Sequence, residues 1–519
     1  MSILSFQFAF FVAGALLLYY LVPKHFQWAV LMGFSAAFFI SGCGLKMFLL
    51  MLGMVAVAWS CSLWIGKLNV QLNGQNGNAI KARRKKNVIT ASGIIFEAGL
   101  LILIKDLFFF TNNINFVSGL LGSSLRVSLP QWAAPLGVSY YTLMLISYIL
   151  DVSWGISTPQ RNPIKFLLYS IYFPQMTSGP LTRYHEMEQE FYVSHSFDYD
   201  RICFGLQRIF WGLFKELVIA ERLKILANTI YDDYQNYTGI YVFIAAIAYT
   251  LQLYTNFSGC MDCMLGVSEL FGVRLPENFH TPFFSTSLSE VWRRWHMTLG
   301  FWVKDYVLYP VLKSPILQKL GRFCKTKIGK RAKQIPTYLG MFVTWFTVGF
   351  WHGGSWKYIF GSGIFFFAMI VGGQLLEPLF KKLIRLLKVN TDCFSWKLFQ
   401  QMRTFLLFSF SVSFGRAASL MDGFYMWKGA FSIWNPWILF DHPLQRLGME
   451  GADFFAIIFG LLMLLLAGNL QKNGSIRKML ADQNLVYRWI VLFGLIFSVI
   501  ILGNYGPGYD AASFIYGQF

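Results

Sequence analysis

Charged residues are scarce in this 519-residue chain. Asp, Glu, Lys and Arg together make up 13% of the sequence, whereas they make up about a quarter of an average soluble domain. Hydrophobic residues account for 55%, and the mean hydropathy is +0.49. Several apolar stretches approach the roughly 20 residues needed to cross a bilayer. The composition excludes an ordinary soluble domain and predicts an all-α polytopic membrane protein.

Acidic residues are fewer than basic ones, 25 against 44, which gives a net charge of +19. The Lys and Arg residues form short clusters between apolar runs, at 81–86, 319–333 and 381–388, with a weaker cluster at 472–478. Such clusters mark cytoplasmic loops. We therefore interpret the positive charge as a topology signal with an attraction to anionic membrane lipid, and not as a nucleic-acid interface.

The apolar segments between these clusters predict about 11–12 transmembrane helices. Successive cytoplasmic clusters must be separated by an even number of crossings, which places both termini outside a cell membrane. The first apolar segment has no basic stretch before it and no small-residue cleavage site after it, so we interpret it as a retained span. The predicted spans lie near 6–22, 26–42, 48–66, 89–109, 131–151, 203–225, 239–262, 401–418, 453–469 and 485–504, with a hairpin near 337–378.

Two aromatic stretches, 164–182 and 283–310, do not fit this pattern. Prolines and glycines interrupt the first, and charged residues interrupt the second. Irregular or charged segments at membrane depth need surrounding protein or a water-filled cavity. We predict that both are re-entrant or tilted elements lining an internal chamber. We expect one transmembrane domain over 1–519, with a catalytic core at about 90–380 and further helices at 395–519.

Several common catalytic motifs are absent. The chain has no G-x-S-x-G elbow, no phosphate-binding GxxxxGK[ST], no HExxH and no GxGxxG after a strand, so hydrolase, nucleotide-driven and nicotinamide-dependent activities have no support. Cys260 and Cys263 form a CxxC, but no second pair with zinc spacing accompanies them. We predict neither a metal nor a disulfide here, and expect buried thiols that pack as small hydrophobic groups.

Only seven histidines occur, and His352 stands out among them. It lies in the aromatic run TWFTVGFWHGGSW, residues 344–356, and a glycine pair follows it directly. An ionisable side chain at membrane depth is by default a candidate functional residue. The alternative is a structural histidine that is hydrogen-bonded inside a helix bundle, and this segment alone does not decide between the two.

The second candidate, His296, lies in SEVWRRWHMTLGFWVKDYVLY, residues 289–309. If this stretch is one helix, Glu290 and Arg294 pair four residues apart, and Arg293 shares a face with His296. The segment then has one face toward lipid or protein and another toward a polar cavity. An interfacial amphipathic helix with an aromatic belt explains the same pattern equally well.

A buried histidine suits acyl transfer from a thioester to a hydroxyl. That reaction needs a base with a pKa near the working pH to remove the hydroxyl proton. Among unperturbed side chains, histidine has the pKa closest to neutral pH. Burial disfavours the imidazolium and keeps the base unprotonated.

Six segments along nearly the whole chain carry a recognisable pattern: Pro135–Asp151, Phe173–Tyr184, Phe257–Asn278, Ser289–His296, Gly349–Trp356 and Phe414–Ala417. In this order they resemble the membrane-bound O-acyltransferase family, and within it the bacterial membrane subunits of alginate-type polysaccharide O-acetylation. The chain departs from the usual motifs in three segments: Cys260-Met261 replace Tyr-Ser, Val291 replaces an aromatic residue, and Gly415 interrupts an aromatic-Phe-Arg-Ala run.

The resemblance implies a ring of tilted helices around a central funnel, with His352 as the catalytic histidine and His296 as a second active-site residue. It implies a cytoplasmic thioester donor, acetyl-CoA, with no permanently bound cofactor and no metal. We also predict six substrate-binding residues within the matching segments: Trp351, Trp295, Arg293, Arg294, Asp262 and Asn278.

The acceptor implied by the resemblance is a hydroxyl of an extracellular polysaccharide or of a partner acetyltransferase. No extracellular SGNH-type esterase domain occurs in the chain, so a separate SGNH-type partner and a polymer synthase complex are expected. One alternative is D-alanyl transfer to teichoic acid from a carrier protein, although that branch is generally shorter beyond about residue 420. A transporter or flippase is the alternative from another class, but it predicts matching inverted halves, which the chain lacks.

Overall fold

The computed structural model describes residues 3–73, 79–124, 126–128, 137–176, 179–440 and 447–506. These ranges are largely helical and contain no β-strand, which confirms the predicted all-α class. The predicted span near 131–151 begins outside the described residues, and so does the segment Pro135–Asp151. The C-terminus, predicted to lie outside the cell, is also beyond them.

The helices are numbered here in chain order, and several are joined by short π-helical stretches. The α-helices are α1 Phe6–Leu21, α2 Gln27–Asn73, α3 Ala79–Leu101, α4 Leu107–Leu120, α5 Val138–Trp154, α6 Pro163–Ile171, α7 Phe173–Met176, α8 Tyr184–Phe191, α9 Tyr199–Leu213, α10 Glu221–Asp232, α11 Ile240–Leu270, α12 Leu288–Arg294, α13 Met297–Val303, α14 Tyr309–Leu312, α15 Pro315–Phe323, α16 Ile335–His352, α17 Trp356–Ile359, α18 Phe365–Leu386, α19 Phe394–Arg416, α20 Leu420–Ser432, α21 Gly451–Leu470, α22 Ile476–Ala481 and α23 Leu485–Leu502.

Six helical stretches of the described chain are long and apolar enough to cross a membrane. They are Lys24–Leu72, Ala79–Leu120, Ile240–Leu270, Trp356–Leu386, Gly451–Asn473 and Leu485–Leu502. The protein is therefore a multi-pass membrane protein. The helices at the predicted spans near 203–225 and 401–418 do not meet these criteria, so the total of 11–12 spans stays a prediction.

The long helix α2 is two helices that meet at Gly44. Its 47 residues would extend about 70 Å as one straight helix, more than twice the roughly 30 Å hydrocarbon core. Gly44 has a φ of 77° and a ψ of 167°, which no α-helix contains. A left-handed φ favours glycine because a side chain would clash there. The break lies between the two spans predicted near 26–42 and 48–66.

Both stretches that the sequence marks as irregular are broken in the structure. Helix α6 ends before Tyr172, whose φ of −50° and ψ of 114° are not helical, and the four-residue helix α7 follows. Tyr172 is buried in protein, as predicted for this stretch, although residues 177–178 lie outside the described residues. The second stretch is interrupted between α12 and α13. Whether either lines a chamber stays a prediction.

The described residues group into two compact units. One comprises the chain up to Ile209 together with Cys260–Pro276, and the other comprises Phe210–Gly259 together with the residues from Glu277 onward. The second unit contains both His296 and His352. The single-domain interpretation and its boundaries stay predictions.

Candidate active site

His352 is the last residue of helix α16. The helix begins with Pro336 in its first turn, a position that proline tolerates, and runs through apolar and aromatic residues to the glycine pair. A methyl group added to Gly349 would lie 2.8 Å from the Ile359 Cα, so glycine is required where the returning chain approaches the helix. His352 is only 8% exposed. The structure thus places this imidazole at a buried helix end beside a close backbone contact.

His296 lies in the break between helices α12 and α13. Its φ of 45° and ψ of 50° are left-handed, a conformation that is uncommon for residues other than glycine. The side chain is 1% exposed. Such a backbone conformation persists only where surrounding contacts determine it. The left-handed turn directs the chain into α13 and leaves the imidazole buried.

Asn278 supplies those contacts. Its side-chain oxygen accepts hydrogen bonds from the Thr298 backbone N–H at 3.0 Å and from the Thr298 hydroxyl at 2.9 Å. Its backbone carbonyl accepts from the Met297 N–H at 2.9 Å. Asn278 therefore bonds, through its backbone and its side chain, to the two residues that follow His296.

The same Asn278 oxygen determines the tautomer of His296. It lies 3.2 Å from the imidazole Nδ1. Because the Thr298 backbone N–H can only donate, the Asn278 atom that it contacts is the carbonyl oxygen, which can only accept. Nδ1 therefore carries the hydrogen, and Nε2 of the neutral ring carries the lone pair.

The two imidazoles are close enough to influence each other. The Trp351 ring centroid lies 6.0 Å from that of His296 and 5.1 Å from that of His352. His296 is outside the six candidate spans, and burial, followed by the nearby His352, lowers the pKa of His296 well below its usual value. The Phe257 ring packs perpendicular to the His296 ring at 4.9 Å. The site contains two buried histidines whose rings both lie near the Trp351 ring.

Aromatic rings enclose the His296 side of this site. Trp295, predicted to bind substrate, is 3% exposed. Its ring packs against those of Tyr254, Phe279, Phe283 and Phe408, at centroid distances of 5.0–6.2 Å. Such surroundings exclude water, which strengthens electrostatic interactions in the site.

The two arginines predicted to bind substrate differ in their surroundings. Arg294 forms the predicted ion pair with Glu290, at 2.8 Å, and contacts the Thr281 hydroxyl at 3.4 Å. Arg293 is exposed. The prediction that Arg293 and His296 share a helix face is wrong, because α12 ends at Arg294 and the backbone turns left-handed at His296. The proposed binding roles of both arginines stay predictions.

Asp262 belongs to the other compact unit. Its carboxylate accepts hydrogen bonds from Arg208 at 2.9 and 3.0 Å. In the same unit Cys260 and Cys263 are buried, and the Cys263 thiol lies 3.6 Å from the Ile209 carbonyl. The substrate-binding role of Asp262 stays a prediction.

Sequence reasoning did not single out Lys357 and Tyr358. They follow the segment Gly349–Trp356 directly, and the Lys357 ammonium lies 5.0 Å from the centre of the Tyr358 ring. The signal that could have identified them is a positive charge inside an otherwise apolar stretch, immediately after the histidine segment. Phe257 was inside a matching segment, but its contact with His296 depends on tertiary structure.

Comparisons with known proteins identify the family of this chain. A family model described as MBOAT, membrane-bound O-acyltransferase family, matches residues 156–419. The probable alginate O-acetylase AlgI of Pseudomonas syringae pv. tomato is 30% identical over 62% of this chain and 56% of its own length. A peptidoglycan O-acetyltransferase of Helicobacter pylori is 29% identical over 51% of this chain and 52% of its own. A teichoic acid D-alanyltransferase of Bacillus subtilis is 27% identical over 43% of this chain and 55% of its own.

The helical fold and the buried histidine pair define a membrane protein with a candidate active site in its second unit. Since the family model covers half of the sequence, the chain belongs to the membrane-bound O-acyltransferase family, and it resembles the alginate and polysaccharide branch. The matched region includes both His296 and His352. The alignments span somewhat more than half the length of the curated relatives.

Proposed function

We propose that this protein is a membrane O-acetyltransferase. It transfers an acetyl group from a cytoplasmic thioester, acetyl-CoA, to a hydroxyl of an extracellular polysaccharide or of a partner acetyltransferase. Family membership supports acyl transfer, and the names of the relatives from Pseudomonas and Helicobacter support acetyl as the group and a polymer as the acceptor.

The observation that carries this proposal is the buried pair of His296 and His352, whose rings both lie near that of Trp351. Two imidazoles in aromatic surroundings supply a proton acceptor and a positioning group. Holding both substrates in such a site converts a bimolecular encounter into an oriented one.

His352 acts as the general base. As the acceptor oxygen attacks the thioester carbonyl carbon, its proton moves to the imidazole. The tetrahedral intermediate then collapses, the carbon–sulfur bond breaks, and the imidazolium returns the proton to the leaving thiolate. The products are the O-acetyl ester and the free thiol, and His352 is regenerated. No redox partner is needed.

His296 positions the acceptor. Its Nε2 lone pair can accept a hydrogen bond from an acceptor hydroxyl, because Nδ1 donates to Asn278. Stabilising the negative charge on the thioester oxygen from Nε2 would require the protonated ring. The lowered pKa of His296 disfavours that form.

The direct test measures acetyl transfer by purified His352→Ala protein. Removing a general base costs roughly 10²–10⁴-fold in rate, so we expect transfer to be lost from a protein that is inserted and monodisperse. His280→Ala is the matched control, because His280 belongs to the same unit and is exposed. A stable His352→Ala protein that acetylates at the rate of the His280→Ala protein would contradict the mechanism.

D-alanyl transfer is the competing function, and the relative from Bacillus supports it at 27% identity. It differs in the donor, an acyl group on a carrier protein. Incubation of the purified chain with acetyl-CoA or with D-alanyl carrier protein separates the two. If the chain accepts an acyl group only from the D-alanyl carrier protein and not from acetyl-CoA, acetyl transfer is refuted.

We propose a cell-membrane location with the basic clusters at 81–86 and 319–333 in the cytoplasm, next to the thioester donor. Single cysteines placed in these clusters of a cysteine-free variant should react with a membrane-impermeant reagent only after permeabilisation. Labelling of either cluster in intact cells would contradict the topology.

We also propose two kinds of partner protein. An SGNH-type acetyltransferase would receive the acetyl group, and a polymer synthase complex would supply the polysaccharide. Co-purification of such proteins with the tagged full chain tests this. Identifying the molecule that carries the acetyl group shows whether the group goes directly to a sugar or first to a serine of the partner.

A further inference from the structure

Two buried charged residues of the second unit have no part in the mechanism above. Lys215 is 3% exposed and Glu216 is 1% exposed. They are consecutive residues of the π-helical stretch Phe214–Ala220, which connects helices α9 and α10. Burying a charged side chain is costly unless other groups pair with it and bond to it. The contacts of these two residues therefore indicate what they do.

Both side chains bond to helix α11. The Glu216 carboxylate accepts a hydrogen bond from the Asn256 side-chain amide at 2.7 Å. The Lys215 ammonium donates to the Ser258 carbonyl at 2.9 Å and to the Ser258 hydroxyl at 3.0 Å. All four residues are buried. Because water is excluded from them, these hydrogen bonds are electrostatically stronger than they would be in water.

The two bonded residues of α11 flank Phe257. This residue lies between Asn256 and Ser258 in the chain and is fully buried. Its ring packs against the His296 ring at an interplanar angle of 84°, with the ring centroids 4.9 Å apart. The residue before Phe257 and the residue after it are thus bonded to the π-helical stretch, while Phe257 itself contacts the imidazole.

The backbones of α11 and of the π-helical stretch also approach each other closely. A methyl group added to Gly259, in α11, would lie 2.9 Å from the Gly212 carbonyl oxygen and 3.3 Å from the Glu216 backbone nitrogen. Glycine at this position therefore allows the close approach. The approach accompanies the hydrogen bonds between the two segments and limits how far α11 can move.

Stability alone does not explain why polar groups occupy this place. Within the described part of the chain, the second carboxylate oxygen of Glu216 and the side-chain oxygen of Asn256 are buried without a hydrogen-bond partner. Unsatisfied buried oxygens cost stability, and apolar residues of similar volume are often as stable as buried charged groups. Directional bonds do provide something that apolar packing lacks, which is a fixed position for the intervening Phe257.

We propose that Lys215 and Glu216 are positioning residues for His296. Their bonds to the residues on either side of Phe257 fix the Phe257 ring, and that ring fixes the plane of the imidazole, so that Nε2 is directed at the acceptor hydroxyl. Asn278 fixes the same imidazole from Nδ1. This inference rests on the proposed function, in which His296 orients the acceptor.

The test observes the His296 ring by NMR in the purified full chain, labelled at histidine and placed in lipid nanodiscs. His296→Gln identifies the signals by their loss. Phe257→Leu marks the positions of these signals when the ring contact is absent. Glu216→Leu combined with Asn256→Leu, the double leucine variant, should move the signals toward those positions, and so should Lys215→Met. Wild-type signal positions in either protein would overturn the role of the residue changed in it.

Two further comparisons separate positioning from folding. Glu216→Gln keeps an oxygen that can accept from Asn256, so it should restore the wild-type signals that the double leucine variant loses. The double leucine variant replaces both partners of a buried hydrogen bond by apolar groups, a change that can be nearly neutral for stability, so it should stay monodisperse. If Glu216→Gln moved the signals as far as the double leucine variant, the hydrogen bond would not be their cause.

Thr250→Val is the matched control. Thr250 is a buried residue of α11, and its hydroxyl donates to the Ala246 carbonyl of the same helix at 2.7 Å. The substitution removes a buried hydrogen bond of α11 and leaves the contacts of the π-helical stretch in place. The His296 signals should therefore keep their wild-type positions. An equal movement in Thr250→Val would overturn the proposal.

The rate of acetyl transfer is the second readout. Since a displacement of about 1 Å can cost about 10²-fold in rate, the double leucine variant should be slower than the wild type by up to about 10²-fold, with an unchanged KM for acetyl-CoA. Because the effect passes through His296, adding the two leucines to His296→Ala should slow transfer no further. A further loss in that background, or a raised KM for acetyl-CoA, would overturn the proposal.

The outcome is separable from that of the proposed function. If the His296 signals move as expected but the wild type transfers no acetyl group from acetyl-CoA, the positioning contacts stand and the proposed reaction fails. If transfer occurs and the signals stay in place in the double leucine variant, the reverse holds.

Discussion

The regions around His352 and His296 present the same side chain in two different ways. His352 ends an 18-residue, largely apolar helix and is followed by two glycines. His296 sits in a left-handed turn between two seven-residue helices, with Asn278 bonded to its ring and to the residues after it. The first imidazole stands at the end of a helix beside a close backbone contact, and the second is bonded to the Asn278 side chain.

This difference separates the two roles. A ring whose Nδ1 donates to an amide, and whose pKa is lowered by burial, is rigid and poorly suited to take up a proton. The space beside the glycines near His352 is filled by the returning chain, since a methyl group on Gly353 would lie 3.0 Å from the Tyr358 ring. We therefore base the proposed division of roles on the His296 ring: orientation of the acceptor by His296, and proton transfer by His352.

The largest expected effect comes from comparing both single alanine variants with the double variant. His352→Ala should lower the transfer rate by roughly 10²–10⁴-fold, and His296→Ala by less. Because residues that act as a unit are non-additive, the double variant should be about as slow as His352→Ala. Initial rates on monodisperse protein provide the measurement. A larger loss in His296→Ala than in His352→Ala would reverse the two roles.

Removing the support of His296 should have the next largest effect. Asn278→Ala removes the oxygen that accepts hydrogen bonds from the Thr298 N–H and hydroxyl, and each such bond contributes about 0.5–1.5 kcal/mol. We expect a lower thermal midpoint, together with the transfer defect of His296→Ala. Thr298→Val is the control, since it removes one of these bonds and keeps the Asn278 contact with His296. If Asn278→Ala were as active as Thr298→Val, the assigned role of Asn278 would be wrong.

Two glycine substitutions compare the packing of the two regions. Gly349→Ala places its methyl group 2.8 Å from the Ile359 backbone, whereas the nearest atom to a methyl group on Gly300, in α13, is 3.6 Å away. Overpacking typically costs about 1–3 kcal/mol, while alanine otherwise favours a helix by up to about 1 kcal/mol. Gly349→Ala should lower the thermal midpoint, and Gly300→Ala should leave it unchanged or raise it. Similar midpoints for the two variants would show that the close approach near His352 is not required.

The smallest expected effect is a pH dependence of stability. The folded state lowers the pKa of His296 below its unfolded value of about 6.5. Between these two pKa values the unfolded state therefore binds more protons than the folded state. Stability is then fully present above pH 6.5 and is lost as the pH falls toward the lowered pKa. The thermal midpoint should drop between pH 7.5 and 5.5 in the wild type, and drop less in His296→Gln. His280→Gln is the control. If the thermal midpoint of His296→Gln fell with pH as much as that of the wild type, His296 would not be the source of the pH dependence.

Much of the candidate site was readable from the sequence because intramembrane polar residues are rare. His352 stands out in an apolar run, and the Glu290–Arg294 pair follows from helical spacing and is present at 2.8 Å. The proposed face shared by Arg293 and His296 failed because spacing assumes a continuous helix. The left-handed turn at His296 depends on Asn278, which is 18 residues earlier in the chain.

From the sequence alone one could predict the class of the protein, its helical content, two spans on either side of Gly44 and the two histidines as candidates. Those features follow from local composition and from the cost of burying charge in lipid. Only the tertiary structure decided which groups meet: His296 with Trp351 and Phe257, and the Asn278 side chain with the His296 ring. These contacts join residues far apart in the chain, and their geometry arises from the packing of several helices, so no local pattern encodes them.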